Sequence, residues 1–285
     1  MASTESDAFY NAEDVCKKIH PSKYLKEHLQ KGIRPVGNRK HFSYRSVIGN
    51  INVVKSCCGS SIVKIGNTTV LCGISHEVTS PSRKYPRQGL VDINCKLSEH
   101  CNIQHNYKNK VVQLRQCTNL LQKLFLSLNI IDLNSLCIAE GEYVWLLRVH
   151  LICLDYDGAF WDGAVLAMYL ALKSLKLPEI SYDVESKSFQ IKSKNLSPIP
   201  VGKFPLATTF GLFQKFVFAD PNREEEELCG SFVTIITEKD DIKVVQKRGG
   251  TLMMEQQLNE CLNVAKARYK VMESTVETIL KQSVL

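Results

Sequence analysis

The sequence predicts an α+β fold arranged as two lobes, and three observations carry that expectation. β-rich runs and helix-period segments alternate, and the order strand, helix, strand, helix occurs twice. The 285 residues correspond to about two lobes at roughly 150 residues per domain. With 44% hydrophobic and 23% charged residues, the chain has the composition of a protein that buries a sizeable core, not that of a disordered tail.

In chain order, residues 13–31 predict a short basic helix, from Asp14 past Tyr24 and Leu25 to Gly32, broken by Pro35 and Gly37. Residues 47–54 and 62–74 predict an antiparallel meander interrupted by Gly59 and the turn-like Gly66-Asn67. Residues 79–89, with two prolines and three bases, predict an exposed loop, and 98–110 a polar irregular segment. From 111 to 131, Val112, Leu120, Leu121, Leu124, Phe125 and Leu128 recur at helical spacing. Residues 143–154 predict a central strand, with His150 between Val149 and Leu151. A turn at Gly158 then leads into a buried helix over 164–177, closed by Pro178. Residues 187–191, 207–218, 232–237 and 242–246 predict a second sheet. The tail from 254 predicts a helix with Leu258, Leu262, Ala265, Tyr269, Met272, Val276 and Ile279 on one face.

Charge is distributed unevenly. The total is 36 basic against 29 acidic residues, yet residues 17–115 alone hold 18 Lys and Arg against 4 Asp and Glu. An excess of that kind fits a polyanion such as RNA, an acidic partner, or an ordinary solvated face. Eleven cysteines in a small secreted chain would read as disulfides, but residues 1–10 are polar and acidic without the apolar core of a secretory leader. Cys72, Cys137 and Cys153 lie in apolar runs where a reduced thiol acts as a small core residue. A reducing intracellular compartment is therefore expected, and no run of 18 apolar residues predicts a membrane span.

Four groups of residues are weighed for chemistry. Asp155, Asp157 and Asp162 around Gly158 have the composition of a divalent-metal or acid-base site. The commoner reading is a turn, with Asp162 capping the next helix. Cys95, His100, Cys101 and His105 are possible zinc ligands, but their spacing fits no zinc pattern, and the Cys57-Cys58 pair reads as structural. Glu224 to Glu227 predict a solvated loop, since four adjacent carboxylates repel one another. Arg83, Lys84 and Arg87, with Tyr85 among them, are candidate RNA contacts, because bases neutralise phosphates and an aromatic ring stacks on a nucleobase. The glycines form no phosphate cradle and no nucleophile elbow is present, so no cofactor and no metal are expected.

Several segments carry a more specific signal: Ile33-Arg34-Pro35 through Arg39, the strand from Val63 to Gly73, Leu151 to Gly158, Pro205-Leu206-Ala207-Thr208-Thr209-Phe210, and Asp220-Pro221 leading into the glutamates. In this order, over residues 24–280, they resemble the RNase PH family of RNA-processing proteins. The resemblance implies two βαβ-type lobes, the first with the ribosomal protein S5 domain 2-like fold. It also implies a division into an N-terminal extension over 1–23, a first lobe over 24–180 and a second over 181–285. Family members pair and form a six-membered ring around a channel for single-stranded RNA.

The implied partners are other RNase PH-like exosome ring subunits, S1/KH-type RNA-binding cap subunits and single-stranded RNA, with no membrane. The implied location is the nucleus, including the nucleolus, and the cytoplasm. Active members hold phosphate with a Gly-(Ser/Thr)-Arg turn, where this chain has Ala159, Phe160 and Trp161. Their pair of aspartates six apart falls on Glu225 and Ser231, and a further phosphate-binding arginine falls near Asn119. The family motif Arg-Pro-Asp-Gly-Arg is altered to Arg34-Pro35-Val36-Gly37-Asn38-Arg39. These replacements imply no catalytic residues and a structural role in an exosome ring, supporting assembly and RNA passage. The alternatives are an active phosphate-dependent 3'-5' exoribonuclease and a stand-alone RNA-binding protein. The family's channel-facing loop matches Ser80 to Gly89, which carries the three candidate RNA contacts.

Overall fold

The computed structural model describes residues 12–98, 101, 107–183 and 188–282. The N-terminal segment forms two helices, α1 (Ala12–Ile19) and α2 (Pro21–Gln30). The single helix expected over 13–31 is thus divided at Pro21, which cannot donate to the preceding turn and instead occupies the first turn of α2.

A meander follows: β1 (Val47–Ile51), β2 (Gly59–Ile65) and β3 (Thr68–Thr79) pair antiparallel, with Gly66 at φ +57° in the predicted turn. β4 (Leu90–Leu97) has no counterpart in the predicted elements. Its Asp92, Asn94 and Lys96 alternate with buried Ile93 and Cys95, so it is a half-buried strand of unfavourable composition. α3 (Tyr107–Ser127) starts four residues earlier and ends four earlier than its expected span, with Asn129 left-handed beyond it.

β5 (Cys137–Ala139) and β6 (Tyr143–Asp155) complete the first sheet, ordered β1-β2-β3-β6-β4 with β5 beside β6. α4 (Phe160–Lys173) is buried on every side but its last residue, packing on β2 and β3 and on the second sheet. It also begins and ends four residues before its predicted span. Leu175 and Leu177 fall outside it, and Pro178 sits at a register shift inside β7 (Lys176–Asp183), which pairs with β8 (Ser188–Pro198).

The second sheet has the order β10-β9-β11-β12, from β9 (Leu206–Phe213), β10 (Phe216–Ala219), β11 (Ser231–Glu238) and β12 (Asp241–Gly249). The single strand expected over 207–218 is a hairpin that turns at left-handed Gln214. A short helix α5 (Arg223–Leu228) lies between β10 and β11. The long α6 (Glu255–Gln282) buries Cys261, Ala265, Tyr269, Met272, Val276 and Ile279, close to its predicted stripe. The result is the expected α+β architecture. Every described cysteine is a free thiol, and no described helix is long and apolar enough to cross a membrane.

Candidate functional site

Two regions at opposite ends of β6 collect the residues of interest. At its C-terminal end, Asp157 and Gly158 form the turn into α4, and Gly158 adopts φ +79°. A side chain there would place its Cβ 2.3 Å from the carbonyl oxygen of Pro221, so only glycine fits. The Thr68 hydroxyl fixes the turn by donating to the Gly158 carbonyl at 2.7 Å and accepting from the Asp157 N–H at 2.9 Å.

Around this turn a buried ion network joins the two sheets. Gly37 and Asn38 are both left-handed, and the Arg34 N–H bonds the Arg39 carbonyl at 2.8 Å, so the altered Arg-Pro segment closes a tight turn. Arg34, fully buried, donates from Nε to Glu225 at 2.8 Å and from Nη2 to the same carboxylate, and its other donors reach the carbonyls of Ala219 and Asp220. Arg39 pairs with Asp220 at 3.1 Å. Arg45 grips Asp220 through Nη2 at 2.7 Å and its own backbone N–H at 2.8 Å, and its Nη1 reaches the Asp157 carbonyl at 2.6 Å. Burial pushes the Asp220 carboxyl up, but the hydrogen bonds and charge of Arg45 outweigh it and hold the group below its ordinary value. Three of the arginines counted in the basic excess of residues 17–115 therefore point inward, each paired with acids from elsewhere in the chain.

The acidic residues also take places that the sequence expectations did not give them. Glu224 to Glu227 lie on α5, not in a solvated loop. Glu225 is buried and forms a capping box with Asn222, while Glu224 reaches Lys17 on the surface. Asp162 does not cap α4, whose N-cap position is Ala159. It is buried and accepts from the Thr209 hydroxyl at 2.7 Å, with Arg268 at 3.5 Å. Asp157 is taken up by Arg45, and among the described residues no three His, Cys, Asp or Glu side chains converge as a metal site. His100 and His105 lie outside the described residues; Cys95 and Cys101 are buried in the core.

At the head of α4, Phe160 and Trp161 are buried, with the Arg248 guanidinium 4.7 Å from the Trp161 ring centroid. The Ala159 N–H donates to Glu226 Oε1 at 2.9 Å and the Tyr156 hydroxyl donates to Oε2 of the same carboxylate. An anion thus occupies the positive end of the helix dipole, and it is the chain's own side chain. Burial first, and then the Glu226 charge, push the Tyr156 hydroxyl well above its ordinary value. Ser231 is likewise structural, its hydroxyl accepting from the Thr251 N–H at 2.7 Å. Beside this turn, a cleft of about 500 Å³ is lined by Lys17, Asn67, Asp157, Arg223, Glu224 and Glu227, a mixed rather than an anion-selective surface.

The other end of β6 holds the loop between β3 and β4. Arg83, Lys84, Tyr85 and Arg87 are all exposed, as expected from their sequence. A bridge between Ser82 and Tyr85 forms a tip where Lys84 lies 5.3 Å from the Tyr85 ring centroid. Arg87 is paired with Glu140 at 2.7 Å, so its charge is shared with a neighbouring acid in a way that the sequence did not signal.

Residues 43–178 match the first domain of the 3' exoribonuclease family and residues 203–268 match its second domain. The chain belongs to the RNase PH family. It is 30% identical over 257 residues to the exosome complex component rrp43 of Schizosaccharomyces pombe, covering 90% of this chain and 94% of that protein. The exosome complex component RRP45 of Rattus norvegicus is 27% identical over 85% of this chain, but the match spans only 56% of RRP45. Among solved structures, an Archaeoglobus fulgidus exosome with RNA bound to the active site superposes with a TM-score of 0.79 at 25% identity. That match covers 89% of this chain and 96% of the other. Within this RNase PH framework, Arg45 and Arg248 are site residues that sequence reasoning missed, and Glu226 is one that it placed in a solvated run. Their contacts with Asp157, Ala159 and Trp161 span 67 or more positions, so no local spacing pointed to them.

The Asp162 carboxyl carries a pH signature of its own. Burial pushes it from 3.8 up to about 6, against the opposing pull of Arg268 and Thr209. Because this folded-state value lies above the unfolded one, its contribution to stability is complete below 3.8 and is lost as pH rises through about 6. Over that window the wild type is expected to lose on the order of 3 kcal/mol from this group, and Asp162→Asn should flatten the slope. Urea unfolding at a series of pH values checks this, and an unchanged slope in the variant would assign the effect elsewhere.

Proposed function

We propose that this chain is a non-catalytic structural subunit of an RNA exosome ring, supporting assembly and the passage of single-stranded RNA in RNA processing and decay. The observation that carries the non-catalytic reading is the closed N-terminus of α4. The family's phosphate turn falls on Ala159, Phe160 and Trp161, and here Glu226 takes the backbone donor while the two aromatic side chains pack into the core. A phosphate approaching that turn would meet a carboxylate rather than a guanidinium, and repulsion replaces charge-assisted hydrogen bonds worth about 1.5–3 kcal/mol each. Glu225 and Ser231, at the positions of the acid pair, are committed to Arg34 and Thr251.

The ring reading rests on the likeness to exosome components over nearly the whole chain. With it come the expected partners: neighbouring RNase PH-like subunits, S1/KH-type caps and RNA. The expected locations are nucleus, nucleolus and cytoplasm. The division into an extension over 1–23 and lobes over 24–180 and 181–285 belongs to the same proposal. Arg83, Lys84 and Arg87 are its candidate RNA contacts, supported by their exposure and by Tyr85 among them. Reversing the three to glutamate should weaken RNA protection by the assembled ring and reduce its salt dependence. Each lost phosphate contact should lower the slope of log affinity against log salt by about 0.7. Unchanged protection and slope in a filter-binding titration would remove the loop from the RNA path.

A further inference from the structure

A thiol and an imidazole meet near the surface at the end of the β2–β3 hairpin away from its Gly66 turn and the ion network. Cys58 is held in place by its N–H, which bonds the Ile74 carbonyl at 2.9 Å, and by its carbonyl, which accepts from Lys176 at 3.1 Å. Its Sγ lies 2.5 Å from His76 Nδ1. The ring of His76 is fixed in turn by edge contact with Trp145, centroid to centroid 4.8 Å at 77°. The main-chain N–H of His76 also points at the sulfur. Both side chains are half-buried, which leaves the sulfur within reach of a small reagent. Among the described residues no imidazole is bonded to neighbouring Cys57, whose Sγ lies beside Gly73.

We propose that Cys58 is a modification site for small soft electrophiles, with His76 as the positioning base that takes the thiol proton. As Sγ forms its bond to the electrophilic carbon, the leaving group departs with its electron pair and the proton moves from Sγ to Nδ1. The His76 N–H offsets the developing charge on sulfur. Burial lowers the imidazole from its ordinary value and raises the thiol, so the resting pair is neutral. His76 is then an acceptor at neutral pH. The pair plays no part in the proposed ring function, and its test does not depend on that reading.

The test uses iodoacetamide on the full-length chain, with the rate at each cysteine followed by peptide mass spectrometry between about pH 6.5 and 8.5. Exposed Cys16 serves as the internal reference. An unassisted thiol reacts in proportion to its thiolate, so its rate rises about tenfold per pH unit below the thiol pKa. The Cys58 rate should be nearly flat over the same range, because a base already in contact removes the proton. In His76→Gln the flat profile should become the tenfold-per-unit profile, with a loss of about tenfold near pH 7. A wild-type Cys58 profile parallel to that of Cys16 would overturn the proposal without recourse to any variant. So would an unchanged Cys58 profile in His76→Gln.

Discussion

Glu225→Ala should lower the stability of the chain by about 3–5 kcal/mol, the range for removing one member of a buried ion pair. Arg34 is fully buried, and Glu225 binds its Nε and Nη2 while also capping α5 through Asn222. Without the carboxylate, a guanidinium is left in the core with only the carbonyls of Ala219 and Asp220 to accept from it. For a chain of this size the loss corresponds to a drop of roughly 6–15 °C in Tm. The double variant Arg34→Met with Glu225→Leu should recover much of it, because the penalty comes from the orphaned charge more than from the absence of the pair. Thermal unfolding of the three proteins decides this, and additive losses in the double variant would show that the two residues act independently.

Asp220→Asn should be comparably severe, by about 3–5 kcal/mol at neutral pH. Asp220 is left-handed at φ +50°, a conformation that asparagine tolerates, so the substitution isolates the charge from the backbone. What it removes is the anion that holds the Arg45 fork and Arg39. The direction with pH is opposite to that of Asp162. A folded-state value below the ordinary carboxylate gives stability that is present above the unfolded value and is lost as pH falls through the folded one. The wild type should therefore lose its advantage over Asp220→Asn as the carboxyl is protonated in acid, and the gap between the two urea midpoints should narrow as pH falls below the ordinary carboxylate range. A gap that stays constant down to acid pH would mean that Asp220 acts through packing.

Much of the fold was legible because hydrophobic periodicity survives folding directly. β6, α6 and the β2 to β3 turn follow from alternation, from a helical stripe and from Gly66. β4 was not legible, because its buried residues are two among polar neighbours and it gains its place only by pairing parallel to β6. The division at Pro21 was legible in principle from proline chemistry, but the basic composition on both sides masked it. The start of α4 was displaced because Asp162 read as the cap of the following helix, whereas it is an internal acceptor and Trp161, before it, is already helical and the platform for Arg248.

Charged residues were the hardest to place from sequence alone. A run of glutamates looks solvated until Arg34 and the Ala159 N–H are known to face two of them. A basic half looks like a surface until Arg34, Arg39 and Arg45 turn inward. By contrast, the loop from Arg83 to Arg87 read correctly as exposed, since prolines and bases without periodicity leave few other choices.

Membership of an exosome ring is tested by the native mass and subunit composition of the complex recovered with a tagged copy of this chain from its own cells. The expected result is a large particle containing several distinct RNase PH-like chains together with RNA-binding cap proteins. Recovery as a lone monomer or a small homo-oligomer would contradict it.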